Sequence, residues 1–164
     1  MNAMEFPKPK TKAAVLAVAR SQIGVCEMPI NSNKVKYNTE YYGREVSGAA
    51  YAWCVVFVWW VFKSAGFNLF KAASCTAMVN QYKKAAPQQV IEKDFVAGDI
   101  VFFDFSGKKK ITEHAGICIG VDSKYILTID GNTSIGNEGN GGMVMIRKRP
   151  LTQVTCAIRP NYPD

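Results

Sequence analysis

Three residues far apart in the chain have the types that a thiol-based hydrolytic site needs. Cys54 lies near the start of the apolar stretch YAWCVVFVWWVF, His114 is the only histidine, and Asp130 follows the β-type stretch YILTI. A thiolate is a strong nucleophile, an imidazole can carry the proton, and a carboxylate can orient the imidazole and stabilise its charged form. Together these groups could cleave an amide bond through a covalent acyl intermediate.

The position of Cys54 favours a reactive thiol. A glycine-containing loop, GREVSGAA, precedes it, and we expect a helix over residues 52–65 that places Cys54 in its first turn. The free N–H groups and the positive dipole end there lower the pKa of a thiol, and the Cys54 N–H could bind an oxyanion. Cys75 also precedes a predicted helix and is the rival nucleophile, although it lacks the rigid apolar helix behind it.

The relation of His114 to Asp130 depends on how two predicted strands pair. HAGICIGV and YILTIDGN are separated by a tight turn at residues 122–124. Asp130 and Asn132 share one face because side chains alternate along a strand. His114 should lie opposite Gly131 or Asn132, and a bulge or a three-residue turn would bring it to the face of Asp130. At the end of a strand, His114 is expected to be half exposed, as suits a proton carrier.

Other chemistries fit the sequence less well. The five cysteines are widely spaced without a CxxC pair, and there is one histidine, so we predict neither a disulfide framework nor a zinc site. The segment that begins at Asp130 lacks the glycine and the glutamate of a calcium-binding EF-hand loop. GxSxG, Walker and Rossmann motifs are absent. We therefore expect no metal and no cofactor.

The elements that must position these residues change in character along the chain. Apolar residues at helical spacing predict helices over residues 11–23, 34–42, 52–65 and 76–85, with Thr11 as the first N-cap and Gly43 and Gly66 as stops. Short β-type stretches follow: AGDIVFFDF, HAGICIGV, YILTIDGN, GGMVMIRKR and VTCAIRP. This order indicates one α+β domain over residues 11–164, with N-terminal helices packed on a C-terminal antiparallel sheet, after a flexible arm at residues 1–10.

Composition and charge limit the remaining function classes. The chain has 164 residues, 48% of them hydrophobic, which fits one globular domain, expected to be a monomer. The longest apolar stretch, about fourteen residues, is too short to span a bilayer, and the start MNAMEFPKPKTK lacks the apolar core of a secretion signal. The net charge of +7 would attract anionic polymers. We interpret the basic clusters at residues 108–110 and 147–149 as a solvated turn and a solvated strand edge, and expect no nucleic-acid partner.

Four segments in this order carry a resemblance: AWCVVFVWWVFKSAG, AGDIVFFDF, HAGICIG and TIDGNTS. They resemble the CHAP family of cysteine, histidine-dependent amidohydrolases and peptidases, which has an NlpC/P60-type, papain-like fold. The resemblance implies that Cys54 is the nucleophile, His114 the general base and acid, Asp130 the residue that orients His114, and Asn132 an assisting polar residue. Many members have Glu at the position of Asp130, and with the shorter Asp side chain Asn132 could be the main orienting residue instead.

The resemblance also implies a substrate, bacterial peptidoglycan. The bond cleaved would be the N-acetylmuramoyl–L-alanine amide or a peptide bond of the stem or cross-bridge. The expected type is a phage endolysin, held in the host cytoplasm until it is released to a Gram-positive wall, which the positive charge suits. The alternative is a catalytically inactive wall-binding module on the same scaffold. The candidate substrate-binding residues are Tyr37, Tyr51 and Trp53, with Trp53 near the cleft.

Overall fold

The structure, a computed structural model, describes residues 6–163, which form four α-helices followed by one antiparallel sheet. The helices are α1 (Lys12–Ser21), α2 (Lys36–Tyr42), α3 (Cys54–Ser64) and α4 (Cys75–Ala85). The strands are β1 (Val90–Ile91), β2 (Ile100–Phe103), β3 (His114–Val121), β4 (Tyr125–Thr133), β5 (Met143–Pro150) and β6 (Val154–Ile158). They lie in the order β1-β6-β2-β3-β4-β5, with antiparallel neighbours. The predicted α+β class is confirmed.

The central element of the core is α3, because its side chains are apolar on nearly every face. Of its residues from Cys54 to Phe62, all but Trp60 are buried, and the helix packs against α1, α2, β3 and β4. The sheet approaches most closely at Gly131, where a Cβ atom would lie 2.6 Å from the Cβ of Phe57. Only glycine fits between the two elements there. The same close contact fixes the end of β4, which carries Asp130, against the helix that begins at Cys54.

The hairpin of β3 and β4 contains a β-bulge, which affects the face on which His114 lies. Asp122 closes the turn: its N–H donates to the carbonyl of Tyr125 at 3.0 Å, and its carboxylate accepts from two turn N–H groups. Beyond the turn the register shifts by one residue between Cys118 and Gly120, a β-bulge, and Ile117 then pairs with Ile129. Continuing this register places the start of β3 beside the end of β4. Of the two irregularities that would bring His114 to the face of Asp130, a bulge or a three-residue turn, the bulge is present.

Local capping accounts for several helix boundaries. The Thr11 hydroxyl accepts from the Ala14 N–H at 3.1 Å at the start of α1, and Gly43 adopts a left-handed conformation at the end of α2. The helix α3 begins two residues later than predicted, because the backbone of residues 49–51 forms a 3₁₀ turn.

Two further observations concern the N-terminal arm and the length of the helices. Of the predicted arm, residues 1–5 lie outside the described part, and the N–H of Lys10 donates to the carbonyl of Ala65 at 2.8 Å. Within residues 6–163, every helix is too short or too polar to cross a bilayer.

Candidate active site

Cys54 is the first residue of α3, and its side chain is 8% exposed. Among the described residues no side chain caps this helix end, so N–H groups of the first turn stay available to an anion. The helix dipole adds a partial positive charge at the same place. The apolar residues that follow Cys54 bury the helix and hold its first turn still. This arrangement matches the one predicted from the sequence.

His114 is the first residue of β3 and makes one clear polar contact. Its Nε2 lies 3.0 Å from Oδ2 of Asp130, and its ring is tilted against the rings of Phe103 and Phe105. The side chain is fully buried, so the expectation of a half-exposed histidine is wrong. The two phenylalanine rings cover it. Nδ1 has no hydrogen-bond partner among the described residues, so no competing group occupies that ring nitrogen.

The charge state of His114 follows from these neighbours. Burial disfavours the imidazolium, but the hydrogen bond to Asp130 and the interaction with Cys54 outweigh burial and raise the pKa of His114 to about 9. The Asp130 carboxylate is also fully buried, which opposes ionisation, yet His114 and Arg149 together lower its pKa. Asp130 is therefore anionic and His114 protonated near neutral pH. The one-methylene-shorter aspartate reaches the imidazole directly.

Cys75 contacts the candidate nucleophile. It is the first residue of α4, and its Sγ lies 3.9 Å from Sγ of Cys54. The Cys75 thiol, acting as a hydrogen-bond donor, lowers the pKa of Cys54 against the effect of burial, and His114 and the backbone N–H of Ala115 lower it further. The pKa of Cys75 is correspondingly raised. The two rival thiols thus share one site, in which the pKa of Cys54 is held low and that of Cys75 is held high.

Arg149 is the charged neighbour that sequence reasoning misplaced. It lies on β5, is 2% exposed, and donates from Nη2 at 2.8 Å and from Nε at 3.1 Å to Oδ2 of Asp130. The interpretation of residues 147–149 as a solvated strand edge is therefore wrong for Arg149. The pairing register of β4 and β5 would have predicted this contact, because Asp130 pairs with Met145. Side-chain alternation then puts Arg149 on the same face as Asp130.

Among the described residues, the side-chain hydrogen bonds of Asn132 go to groups other than His114. Its Oδ1 accepts from the Gly142 N–H and its Nδ2 donates to Oδ1 of Asn140, both at 3.1 Å. Its backbone has a positive φ of 58° and its side chain is fully buried. The amide thus holds the loop between β4 and β5 in place, while Asp130 orients the imidazole. The assisting role implied for Asn132 stays a prediction.

The candidate substrate-binding residues are placed unevenly. Tyr37 and Trp53 are fully buried, so neither ring is open to a substrate, and the placement of Trp53 near a cleft is wrong. Sequence reasoning missed the reason: the Trp53 indole N–H donates at 3.1 Å to Glu27, a buried carboxylate that also accepts from two backbone N–H groups. Tyr51 is half-buried, and its hydroxyl accepts from Arg44 at 3.3 Å. Of the three, Tyr51 alone has exposed surface.

A model of the CHAP domain matches residues 46–132, slightly more than half of the chain. The chain belongs to the CHAP family. CHAP domains are typically peptidoglycan amidases and peptidases that depend on a cysteine and a histidine, and the α+β arrangement of this chain is consistent with their papain-like fold. The matched segment contains Cys54, His114 and Asp130, whereas Arg149 lies beyond it. Comparison with curated proteins and with solved structures gave no significant match.

Proposed function

We propose that this CHAP domain hydrolyses an amide bond of bacterial peptidoglycan with Cys54 as its nucleophile. The observation that carries the proposal is that the buried His114 imidazole bonds the Asp130 carboxylate at 3.0 Å, while His114 lowers the pKa of the buried Cys54 thiol. A wall-binding module has no need of a thiol, an imidazole and a carboxylate in one buried cluster. The alternative of an inactive binding module is therefore the weaker one.

The reaction follows the chemistry of these groups. The Cys54 thiolate attacks the carbonyl carbon of the amide, and the N–H groups at the start of α3 stabilise the oxyanion that forms. The protonated His114 gives its proton to the leaving amine, so that the C–N bond breaks and a thioester remains on Cys54. His114, now neutral, takes a proton from a water molecule that attacks the thioester. The product leaves as a carboxylic acid, which loses its remaining proton to solvent, and the thiolate–imidazolium pair is restored.

The finer parts of the proposal are the bond and the biological setting. We propose either the N-acetylmuramoyl–L-alanine bond or a peptide bond of the stem or cross-bridge. A phage endolysin that acts on a Gram-positive wall fits the family and the net charge of +7, since the anionic polymers of such a wall would attract the enzyme. Tyr51, which has exposed surface beside Arg44, is the substrate contact that we retain.

Lysis of purified Gram-positive walls tests this function. The loss of turbidity should fall at least about a hundredfold in Cys54→Ser and in His114→Asn, because each removes a reacting group. Cys26→Ser is the matched control, since Cys26 is exposed and outside the site, and it should retain full activity. Lysis that persists in both site variants, or wild-type protein that binds walls and releases no product, would refute the proposal. Mass spectrometry of the released fragments identifies the bond from the position of the new amine.

A further inference from the structure

Arg149 is bonded to the same carboxylate oxygen as the catalytic imidazole. Oδ2 of Asp130 receives Nη2 of Arg149 at 2.8 Å, Nε of Arg149 at 3.1 Å and Nε2 of His114 at 3.0 Å. The guanidinium also lies over the rings of Phe103 and Phe105, at 5.3 Å and 4.9 Å, and these rings flank the imidazole as well. Arginine and histidine therefore share one oxygen and one pair of apolar walls.

A second carboxylate holds Arg149 from the opposite side. Oε1 of Glu138, in the loop between β4 and β5, lies 3.2 Å from Nη1 of Arg149 and also bonds Arg147. The carbonyl of Glu138 accepts from the Thr133 hydroxyl at 2.6 Å, which anchors this loop to the end of β4. The guanidinium is thus fixed between a buried carboxylate at the site and a partly exposed one in the loop.

This geometry matters because the imidazole must release its proton during the reaction. A buried carboxylate whose only partner is an imidazolium would bind that proton very tightly, since the interior screens charges weakly. A permanent positive charge on the same oxygen reduces this attraction. It also keeps the carboxylate ionised when the imidazole becomes neutral, so that Asp130 stays in place through the cycle.

We propose that Arg149 is a positioning residue of the hydrolase, which fixes the Asp130 carboxylate and limits how strongly that carboxylate holds the His114 proton. The inference rests on the proposed function and extends it to a residue outside the segment that defines the family match. Glu138 belongs to the same unit, with the opposite effect, because its negative charge partly offsets that of Arg149.

The groups that face His114 and Asp130 come from several elements, and the test must separate them. Cys54 faces the imidazole from α3 and Cys75 stands behind it on α4, while Arg149 comes from β5 and Glu138 from the loop. Glu113, which precedes His114, directs its carboxylate to the N–H of Phe105 at 2.8 Å. Changes at Arg149 and at Glu138 leave the two thiols and Glu113 in place.

NMR titration of the imidazole tests the inference directly, because His114 is the only histidine in the chain. In Arg149→Gln the proton should bind His114 about tenfold more tightly, which moves its titration about one pH unit higher. In Glu138→Gln the titration should move the other way, to lower pH, by a smaller amount. Arg147→Gln is the matched control, because it also removes a positive charge bonded to Glu138 but no bond to Asp130. Its titration should move to higher pH by much less than that of Arg149→Gln.

Kinetics supply the second readout. With soluble peptidoglycan fragments, Arg149→Gln should lower kcat about tenfold and leave KM within about twofold, because the imidazolium becomes a weaker acid for the leaving amine. Arg149→Lys should recover part of kcat, since it restores the charge but not the paired hydrogen bonds.

Two results would overturn the inference. One is a His114 titration that coincides in folded Arg149→Gln and wild type, and the other is a shift in the same direction for Arg149→Gln and Glu138→Gln. If Arg149→Gln does not fold, the direction of the shift in Glu138→Gln decides, since Glu138 is partly exposed and its change leaves the bonds of His114 and Arg149 to Asp130 in place. A wild type that cleaves no peptidoglycan would refute the proposed function instead, and the titration would still report on Arg149.

Discussion

The contact between the two active-site thiols gives a prediction with a definite sign. Cys75→Ala removes the donor that lies 3.9 Å from the Cys54 sulfur and stabilises its thiolate. A hydrogen bond to a charged group contributes about 1.5–3 kcal/mol. A thiol is a weak donor and the contact is long, so the lower end, about 1.5 kcal/mol, applies. That is about one unit in the pKa of Cys54, which should rise in the variant.

The pH profile of kcat/KM is the assay. The reactive form needs an ionised Cys54, so its acid limb should move about one unit higher in Cys75→Ala. Activity on the acid side should fall about tenfold, while the plateau should stay within about twofold. The pH dependence of alkylation by iodoacetamide measures the same thiolate without substrate. It should shift by the same amount.

Two variants control this experiment. Cys75→Ser keeps a donor and should leave the acid limb near that of the wild type. Cys118→Ala removes a thiol that is also buried, but in the second apolar cluster with Val101 and Phe103, and tests the effect of losing core volume. Superimposed acid limbs for Cys75→Ala and wild type would refute the reasoning, as would an equal shift in Cys118→Ala.

Two further predictions concern groups that hold the site. In Gly116→Ala the new Cβ would lie 2.0 Å from Oδ1 of Asp130. The carboxylate must then move away, and lysis should fall at least about tenfold. In the control Gly120→Ala, on the same strand, the new Cβ meets nothing within 4 Å and the variant should be active; equal activity of the two variants would contradict the role of this contact. Glu27→Ala leaves the Trp53 indole and two backbone N–H groups without their acceptor. It should lower the free energy of unfolding, measured in urea, by about 2–4 kcal/mol. Substitution of an exposed glutamate in the control Glu45→Ala should change this free energy by less than about 0.5 kcal/mol, and an equally small change in Glu27→Ala would contradict the structural role of Glu27.

Much of the scaffold could be predicted because its signals are local. Thr11 caps a helix through its own hydroxyl, and a glycine after α2 takes a left-handed backbone that other residues avoid. Alternation along YILTIDGN predicted Asp130 and Asn132 on one face, but the register of β4 shifts between Asp130 and Thr133 and Asn132 has a positive φ, so this part stays a prediction. The sequence indicated that the hairpin would need either a bulge or a three-residue turn, but not which of the two, nor that the bulge would lie between Cys118 and Gly120.

The remainder depended on tertiary contacts that leave no local pattern. From the sequence alone, Arg149 in the segment RKR is indistinguishable from a solvated residue of an edge strand. Its buried role becomes visible only when Asp130 is known to lie on the neighbouring strand. Cys75 resembles a separate thiol until α4 is packed beside α3, because no spacing rule connects two helix starts. Trp53 resembles a cleft residue until Glu27, from a loop far earlier in the chain, supplies an acceptor for its indole inside the core.

The order of strands has a consequence for how the protein is made. The last strand, β6, lies between β1 and β2 in the sheet, not at an edge. While the chain emerges from the ribosome, the hairpin of β3 and β4 can form early, but β2 keeps an open edge until Val154–Ile158 are available. An open apolar edge is prone to pair with other chains. Every residue of the site is thus synthesised before the sheet that supports it can close.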